Sequence, residues 1–237
     1  MRLTILETGR APGRLAEDYP RYPDMFVALL SQADPSLRFD NVALIDGAPP
    51  PDPRNCEAVL ITGSPFGVYD DTPWMDPLRA FIRDACETGT PMIGVCFGHQ
   101  IIADALGGDV RKSDKGWGIG RHTYEIADRR SWMKDAASTV SLAVSHQDQV
   151  ITPPDGAVTL ARSAHTDHAM LAYSGAPVIT VQGHPEFTDT FVADLWSARR
   201  GAALSEAQVE AALASLARPG DAPMVGQWMT NFLKSAR

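Results

Sequence analysis

Cysteine is scarce in this chain. Only Cys56, Cys86 and Cys96 occur in 237 residues. They form no Cys-x-x-Cys pair and no zinc-finger spacing, and three thiols exclude a disulfide framework in a chain of this size. Long apolar runs are also missing; none approaches the ~20 residues that span a bilayer. The N-terminal Met1-Arg2-Leu3-Thr4-Ile5-Leu6-Glu7 has no signal core or cleavage site and reads as a first strand. Positive charge is in deficit, with 21 Lys and Arg against 29 Asp and Glu, a formal net charge of −8. No basic run exceeds pairs such as Arg129-Arg130 and Arg199-Arg200. The balance argues against nucleic-acid and membrane partners and fits a protein that handles small molecules. There is no P-loop, internal repeat, low-complexity tract or linker. These absences predict one domain over residues 1–237, with a core over about 1–199 and a helical extension over about 200–237. The expected location is a reducing cytoplasm, where a free thiol persists.

What is present alternates strand and helix through the first half. Leu3–Leu6, Phe39–Ile45, Ala58–Thr62 and Met92–Val95 read as strands. Pro23–Gln32 and Asp76–Thr88 read as helices, the latter with Leu78, Phe81, Ile82 and Ala85 on one face. Gly9–Tyr22, rich in Gly, Pro and charge, reads as a loop, either a lid over a site or a surface excursion. This alternation predicts an α/β fold with a mostly parallel sheet and helices on both faces. Beyond Gly107-Gly108 short strands follow at Val110, His122–Ile126, Thr139–Val144, Val158–Ala161, Ala169–Tyr173 and Val178–Val181, and are expected to add antiparallel strands. Helices are expected over Thr190–Arg199, Ser205–Leu216 and Met224–Lys234.

The stretch Pro91-Met-Ile-Gly-Val-Cys-Phe-Gly-His-Gln100 carries the most chemistry. An apolar strand runs into Gly-x-Cys-x-Gly and leaves as a helix, Gln100–Leu106. A nucleophile elbow has this form, with small residues two before and two after the nucleophile because the turn is crowded. At the head of a helix, Cys96 would have its thiolate favoured by the dipole and free N–H groups. A buried core thiol is the competing reading for the decapeptide alone. A nucleophilic cysteine needs a base and a group to orient that base. Gly183-His184-Pro185-Glu186-Phe187 follows a strand directly. His184 and Glu186 are two apart, so in an extended segment both point to one side. The tetrahedral oxyanion needs donors. Thr62-Gly63-Ser64-Pro65-Phe66-Gly67 follows the preceding strand, and the N–H of Phe97 comes next after Cys96. A zinc site built on Cys96, His99 or the His165/His168 pair lacks ligand spacing.

Five motifs in order resemble the class I glutamine amidotransferases of the Cys-His-Glu type, above all stand-alone proteins similar to the amidotransferase domain of GMP synthetase. They are Ile-Thr-Gly-Ser-Pro (61–65), Gly-Val-Cys-Phe-Gly-His-Gln (94–100), Gly-Trp-Gly-Ile-Gly (116–120), Ser-His-Gln-Asp-Gln-Val (145–150) and Gln-Gly-His-Pro-Glu-Phe (182–187). The resemblance covers about Val59 to Phe187 and implies a flavodoxin-like three-layer sandwich. It implies Cys96 as nucleophile, His184 as base and Glu186 as its orienter, with Gly63 and Phe97 as oxyanion-hole amides. Gln100, Ser145, Gln147 and Asp148 would hold a γ-glutamyl group, and His99 and His146 would have no catalytic part. No metal or organic cofactor is implied. The substrate would be glutamine or a γ-glutamyl small molecule, and ammonia would pass to a separate synthetase subunit where there is one. The motifs around Ser145 and Gly183 also resemble the subgroup of plant γ-glutamyl peptidases. Gly183, where the family often carries a bulky residue, would then make room for a larger leaving group. A catalytically silent scaffold is the remaining alternative.

Overall fold

In the computed structural model, which describes residues 1–134 and 138–236, β1 (Arg2–Glu7) lies between two parallel neighbours. These are β2 (Arg38–Ala43) and β3 (Ala58–Ile61). Next come β4 (Met92–Val95) and then β11 (Val178–Val181), again parallel. The order β2-β1-β3-β4-β11 reverses direction between β1 and β3, the switch point at which open α/β sheets form a crevice at the strands' carboxyl ends. Four antiparallel strands complete a nine-stranded sheet: β10 (Met170–Tyr173), β9 (Ala157–Arg162), β6 (Gly118–Ile126) and β7 (Thr139–His146). β5 (Asp109–Lys112) and β8 (Asp148–Thr152) make a separate two-stranded ribbon.

The period of two along the parallel strands sorts their side chains between two helical layers. Leu3, Ile5, Leu60, Ile93 and Val95 face α2 (Tyr22–Ala33) and α7 (Ala222–Ser235) in one core cluster. Leu6, Val59, Ile61 and Met92 face α3 (Met75–Thr88) and α4 (Phe97–Ala105) in a second. The expected α/β sandwich, parallel first and antiparallel later, is thus the observed one. α7 is woven into it: Val225, Trp228 and Leu233 share their cluster with Leu3, Ile5 and Phe26. A third cluster joins Leu15 and Tyr22 to Phe187 and to α5 (Asp189–Ala198) through Phe191, Leu195 and Trp196. α6 (Glu206–Ser215) lies on β6 and carries a full capping box, Ser205 with Gln208, where the sequence offers only part of one.

Three local expectations need correction. Residues 9–22 are not all loop, because Leu15–Asp18 forms a one-turn helix, α1, whose Leu15 is buried. The helix after the elbow starts at Phe97 rather than Gln100. The elbow is sharper than apolar periodicity suggests, since glycine and cysteine mask the first turn. β8 has no counterpart among the expected strands, because Gln147-Asp148-Gln149 reads as polar loop; its pairing to β5 supplies what apolar pattern does not.

The elbow glycines are required by packing. A Cβ on Gly98 would stand 2.2 Å from the Ile61 carbonyl oxygen, and one on Gly94 would stand 2.5 Å from the Gly98 carbonyl oxygen. Both obstacles are backbone atoms that cannot swing away. Gly98→Ala is therefore expected to destabilise the protein by about 3 kcal/mol, the upper part of the overpacking range. At roughly 2–4 °C per kcal/mol for a chain of this length, a thermal melt would show it plainly. An unchanged midpoint would refute the close approach.

Candidate active site

Three strands deliver the candidate residues at their carboxyl ends: β3 leads to Gly63, β4 to Cys96 and β11 to His184. Cys96 is the one non-glycine residue with positive φ among the described residues, at φ 52° and ψ −101°. Such strain persists only where the surroundings impose it. Here the Cys96 N–H donates to the Val181 carbonyl and the Gly98 N–H to the Thr62 carbonyl, pinning the turn to both flanking strands. The side chain is 6% exposed at the N-terminus of α4.

The His184 ring and the Cys96 side chain both lie against Gly63 and line one cavity. His184 Nδ1 is 2.7 Å from Glu186 Oε1. Its backbone N–H donates to the Ala143 carbonyl on β7, fixing the ring's origin. Phe187 stacks on the imidazole at 4.0 Å and 7° between planes. Burial alone would push the His184 pKa down, but the Glu186 charge and the Cys96 side chain outweigh it and raise the pKa to about 10. The imidazolium is therefore the favoured form at neutral pH. A Cβ on Gly63 would lie 3.0 Å from His184 Cε1 and 3.7 Å from Cys96 Cβ, so the Gly63 loop presses on both side chains. Phe97 occupies the first position of α4, where a helix amide has no partner within its own helix. Cys96, His184, Glu186, Gly63 and Phe97 thus meet at one point.

Two cavities open from that point. One, of about 230 Å³, is lined by Cys96 with Gln100, Ser145, Gln147 and Asp148, all four expected to grip substrate. Gln100 Nε2 donates to the Asp148 carbonyl at 2.8 Å and to Gln182 Oε1 at 3.2 Å, so its carboxamide oxygen is the atom left for a ligand. The Asp148 carboxylate accepts from the Tyr69 hydroxyl at 2.8 Å, and burial raises its pKa. The Gln147 carbonyl accepts from the Ser113 N–H. His146 lines the same cavity, but burial holds it neutral and its Nδ1 faces the Asp148 carbonyl. His99 is wholly buried against Thr180, its pKa pushed down to about 3 by burial, and lines neither cavity.

The second cavity, of about 440 Å³, shares Cys96, Ser145 and Arg199 with the first and extends from them to His184, Phe187 and Leu195. One wall is the 9–22 segment, open in sequence to a reading as lid or as excursion. Gly9 packs against the 63–65 loop, where a Cβ would come within 2.6 Å of Ser64 Cα. Buried Glu7 ion-pairs with Arg10 and Arg21, clamping both ends of the segment. Arg10, Leu15 and Tyr22 then line the cavity.

Gly183 does not supply the room expected of it. A Cβ there would meet Leu142 Cβ at 2.9 Å, and neither cavity is lined by Gly183. The space belongs to a neighbouring strand. Sequence reasoning also misses Arg199, which lines both cavities, donates to Ser145 Oγ at 2.6 Å and lies 4.9 Å over the Trp117 ring. It sits beyond the last motif at the end of α5, and only the tryptophan of Gly-Trp-Gly-Ile-Gly hints at a cation partner. Among the described residues no cluster of three or more His, Cys, Asp or Glu can hold a metal ion. None of the described helices is long and apolar enough to cross a membrane.

Residues 41–193 match the model of the glutamine amidotransferase class-I family. γ-Glutamyl peptidase 3 of Arabidopsis thaliana is 30% identical, over 71% of this chain and 70% of its own. One of the subunits of the glutamine-hydrolysing GMP synthase of Saccharolobus solfataricus is 33% identical, over 58% of this chain and 71% of its own. The crystal structure of a glutamine amidotransferase from Methylobacillus flagellatus superposes with a TM-score of 0.75 at 22% identity, covering 98% of this chain and 94% of the other.

Proposed function

The chain belongs to the class-I glutamine amidotransferase family, and from that premise we propose that it hydrolyses the γ-glutamyl C–N bond of glutamine or a γ-glutamyl compound through Cys96. The observation that carries the reading is the convergence of His184 and Cys96 on Gly63 and on one cavity, with Glu186 2.7 Å from His184 Nδ1. The Cys96 thiolate forms a bond to the γ-carbonyl carbon, and the oxyanion takes the N–H groups of Gly63 and Phe97. As the C–N bond breaks, the His184 imidazolium gives its proton to the departing nitrogen. The γ-glutamyl thioester remains. Water attacks it as His184 takes a proton, the C–S bond breaks, and glutamate leaves. Glu186 holds the imidazole and stabilises its charged form. Gln100, Ser145, Gln147 and Asp148 hold the γ-glutamyl unit. A free nucleophilic thiol fits a reducing cytoplasm.

Two forms of this reaction differ in what leaves. In the amidotransferase form ammonia departs and a separate synthetase subunit consumes it. In the γ-glutamyl peptidase form an amine departs and no partner is needed. The cavity of about 440 Å³ beyond Cys96 favours the second, since ammonia needs no such volume. The test is a screen of purified protein against glutamine and γ-glutamyl dipeptides, reading glutamate together with ammonia or released amine. Dipeptide cleavage by the protein alone is expected. Turnover of glutamine only, rising when a synthetase is added, would replace the peptidase form by the amidotransferase form. No turnover of either would end the reading.

A further inference from the structure

The larger cavity beside Cys96 gathers arginines in a protein whose net charge is −8. Arg10, Arg14 and Arg199 line it against the single carboxylate of Asp18. Asp18 lies near Arg14, and Arg10 is neutralised by Glu7 and Asp46. Arg199 has no such partner: among the described residues its polar contact is the Ser145 hydroxyl and its ring contact is Trp117. The next residue, Arg200, by contrast pairs with Glu206 and Glu210. A half-buried guanidinium without a carboxylate partner carries a desolvation cost that a carboxylate would offset; burial lowers its pKa, opposed by the charges of Tyr22 and Cys96. The position is held rather than chosen freely, with the planar face on Trp117 and one edge on Ser145. That leaves the rest of the donor fork turned to the cavities that meet at Cys96. Around the same cavity Leu15, Tyr22, Phe187 and Leu195 supply an apolar wall.

We propose that Arg199 binds the carboxylate of the leaving group, so that the substrates are γ-glutamyl α-amino acids, with the apolar wall taking the amino acid's side chain. This rests on the peptidase form of the proposed function. An α-amino acid places its carboxylate carbon three bonds from the scissile carbon, on the opposite side from the γ-glutamyl unit. Arg199, which lines both cavities where they meet at Cys96, can reach it from that junction. Arg199 is then a specificity-determining residue, acting on binding of one substrate class rather than on the chemical step.

The test uses a matched pair, γ-glutamyl-leucine and γ-glutamyl-isoamylamide, which differ by that carboxylate alone. Wild-type protein is expected to prefer the dipeptide in kcat/KM by about ten- to a hundredfold, the range for a hydrogen bond to a charged group, with the difference in KM. Arg199→Gln is expected to collapse the preference and Arg199→Lys to restore part of it. A wild-type protein that cleaves both compounds equally well overturns the inference, whether or not any variant folds. So does an equal fall on both compounds and on glutamine in Arg199→Gln, which would assign Arg199 to the γ-glutamyl unit. A wild-type protein inert toward all three, with Cys96 unacylated, would instead overturn the proposed function itself.

Discussion

Cys96→Ala is expected to lower γ-glutamyl hydrolysis by about 10⁴–10⁶-fold, the loss seen when a triad nucleophile is removed. The folded protein should survive the change. Alanine keeps the backbone bonds from Cys96 to Val181 and from Gly98 to Thr62, and it inherits the same positive φ. Only the sulfur is removed, from a site already open to two cavities. Thermal melts of the two proteins should therefore nearly coincide while amine release does not. Intact-mass measurement after acid quench supplies a second readout. Wild-type protein should carry a γ-glutamyl adduct during turnover, and Cys96→Ala should carry none. A variant retaining even a hundredth of the rate would remove Cys96 from the mechanism.

The second large effect is expected at Glu186. Burial acts to lower the His184 pKa, and the Glu186 carboxylate leads the groups that raise it to about 10. Other ionisable groups around this pair are the Cys96 thiol, Tyr22 on α2 and His146 at the end of β7, and Arg199 faces Cys96. None of these replaces a carboxylate 2.7 Å from Nδ1. In wild-type protein the acid that protonates the leaving nitrogen is present up to about pH 10, so kcat/KM should decline only there. In Glu186→Gln burial prevails, and the decline should move toward the ordinary histidine value of 6.5, with kcat down about 10³–10⁴-fold. Stability should follow the same sign. A folded pKa above the unfolded one stabilises the protein fully below about pH 6.5, and the contribution is lost as the pH rises to about 10. Glu186→Gln should flatten that part of the stability profile. An alkaline limb at the same pH in both proteins would show that His184 is not the titrating acid.

Much of this is legible in the sequence where one local rule acts alone. The Gly-x-Cys-x-Gly spacing announces the elbow, because steric crowding leaves no other residue type at Gly98. The His184/Glu186 spacing announces their contact, because an extended segment repeats every two residues. Apolar runs mark the core strands of the parallel half. What stays hidden depends on contacts between distant segments. β8 is polar in sequence and gains its identity from β5. α1 takes its single turn from Leu15, which is buried against α5. Gly183 invites a reading as empty space, yet Leu142 from another strand fills it. Arg199 follows no motif, since its place between two cavities is set by where α5 ends over Trp117. Even Gln100, correctly put on the nucleophile's face, has its amide hydrogens bound to Asp148 and Gln182, which spacing does not disclose.

The burial of α7 against β4, β10 and β11 bears on how the chain is made. Synthesis proceeds from the N-terminus at about 5–20 residues per second, so β1 through β4 emerge long before residues 222–235. During that interval Leu3, Ile5, Leu60 and Ile93 have α2 to cover them but lack Val225, Trp228 and Leu233. β11, which must enter between β4 and β10, is also late to arrive. A nascent chain therefore presents an apolar sheet face and an open strand edge to solvent until residues 222–235 have left the ribosome. Elements that pair across such sequence distances close slowly. Dependence on holdase chaperones during translation, and poor recovery after dilution from denaturant, are the behaviour expected of this arrangement.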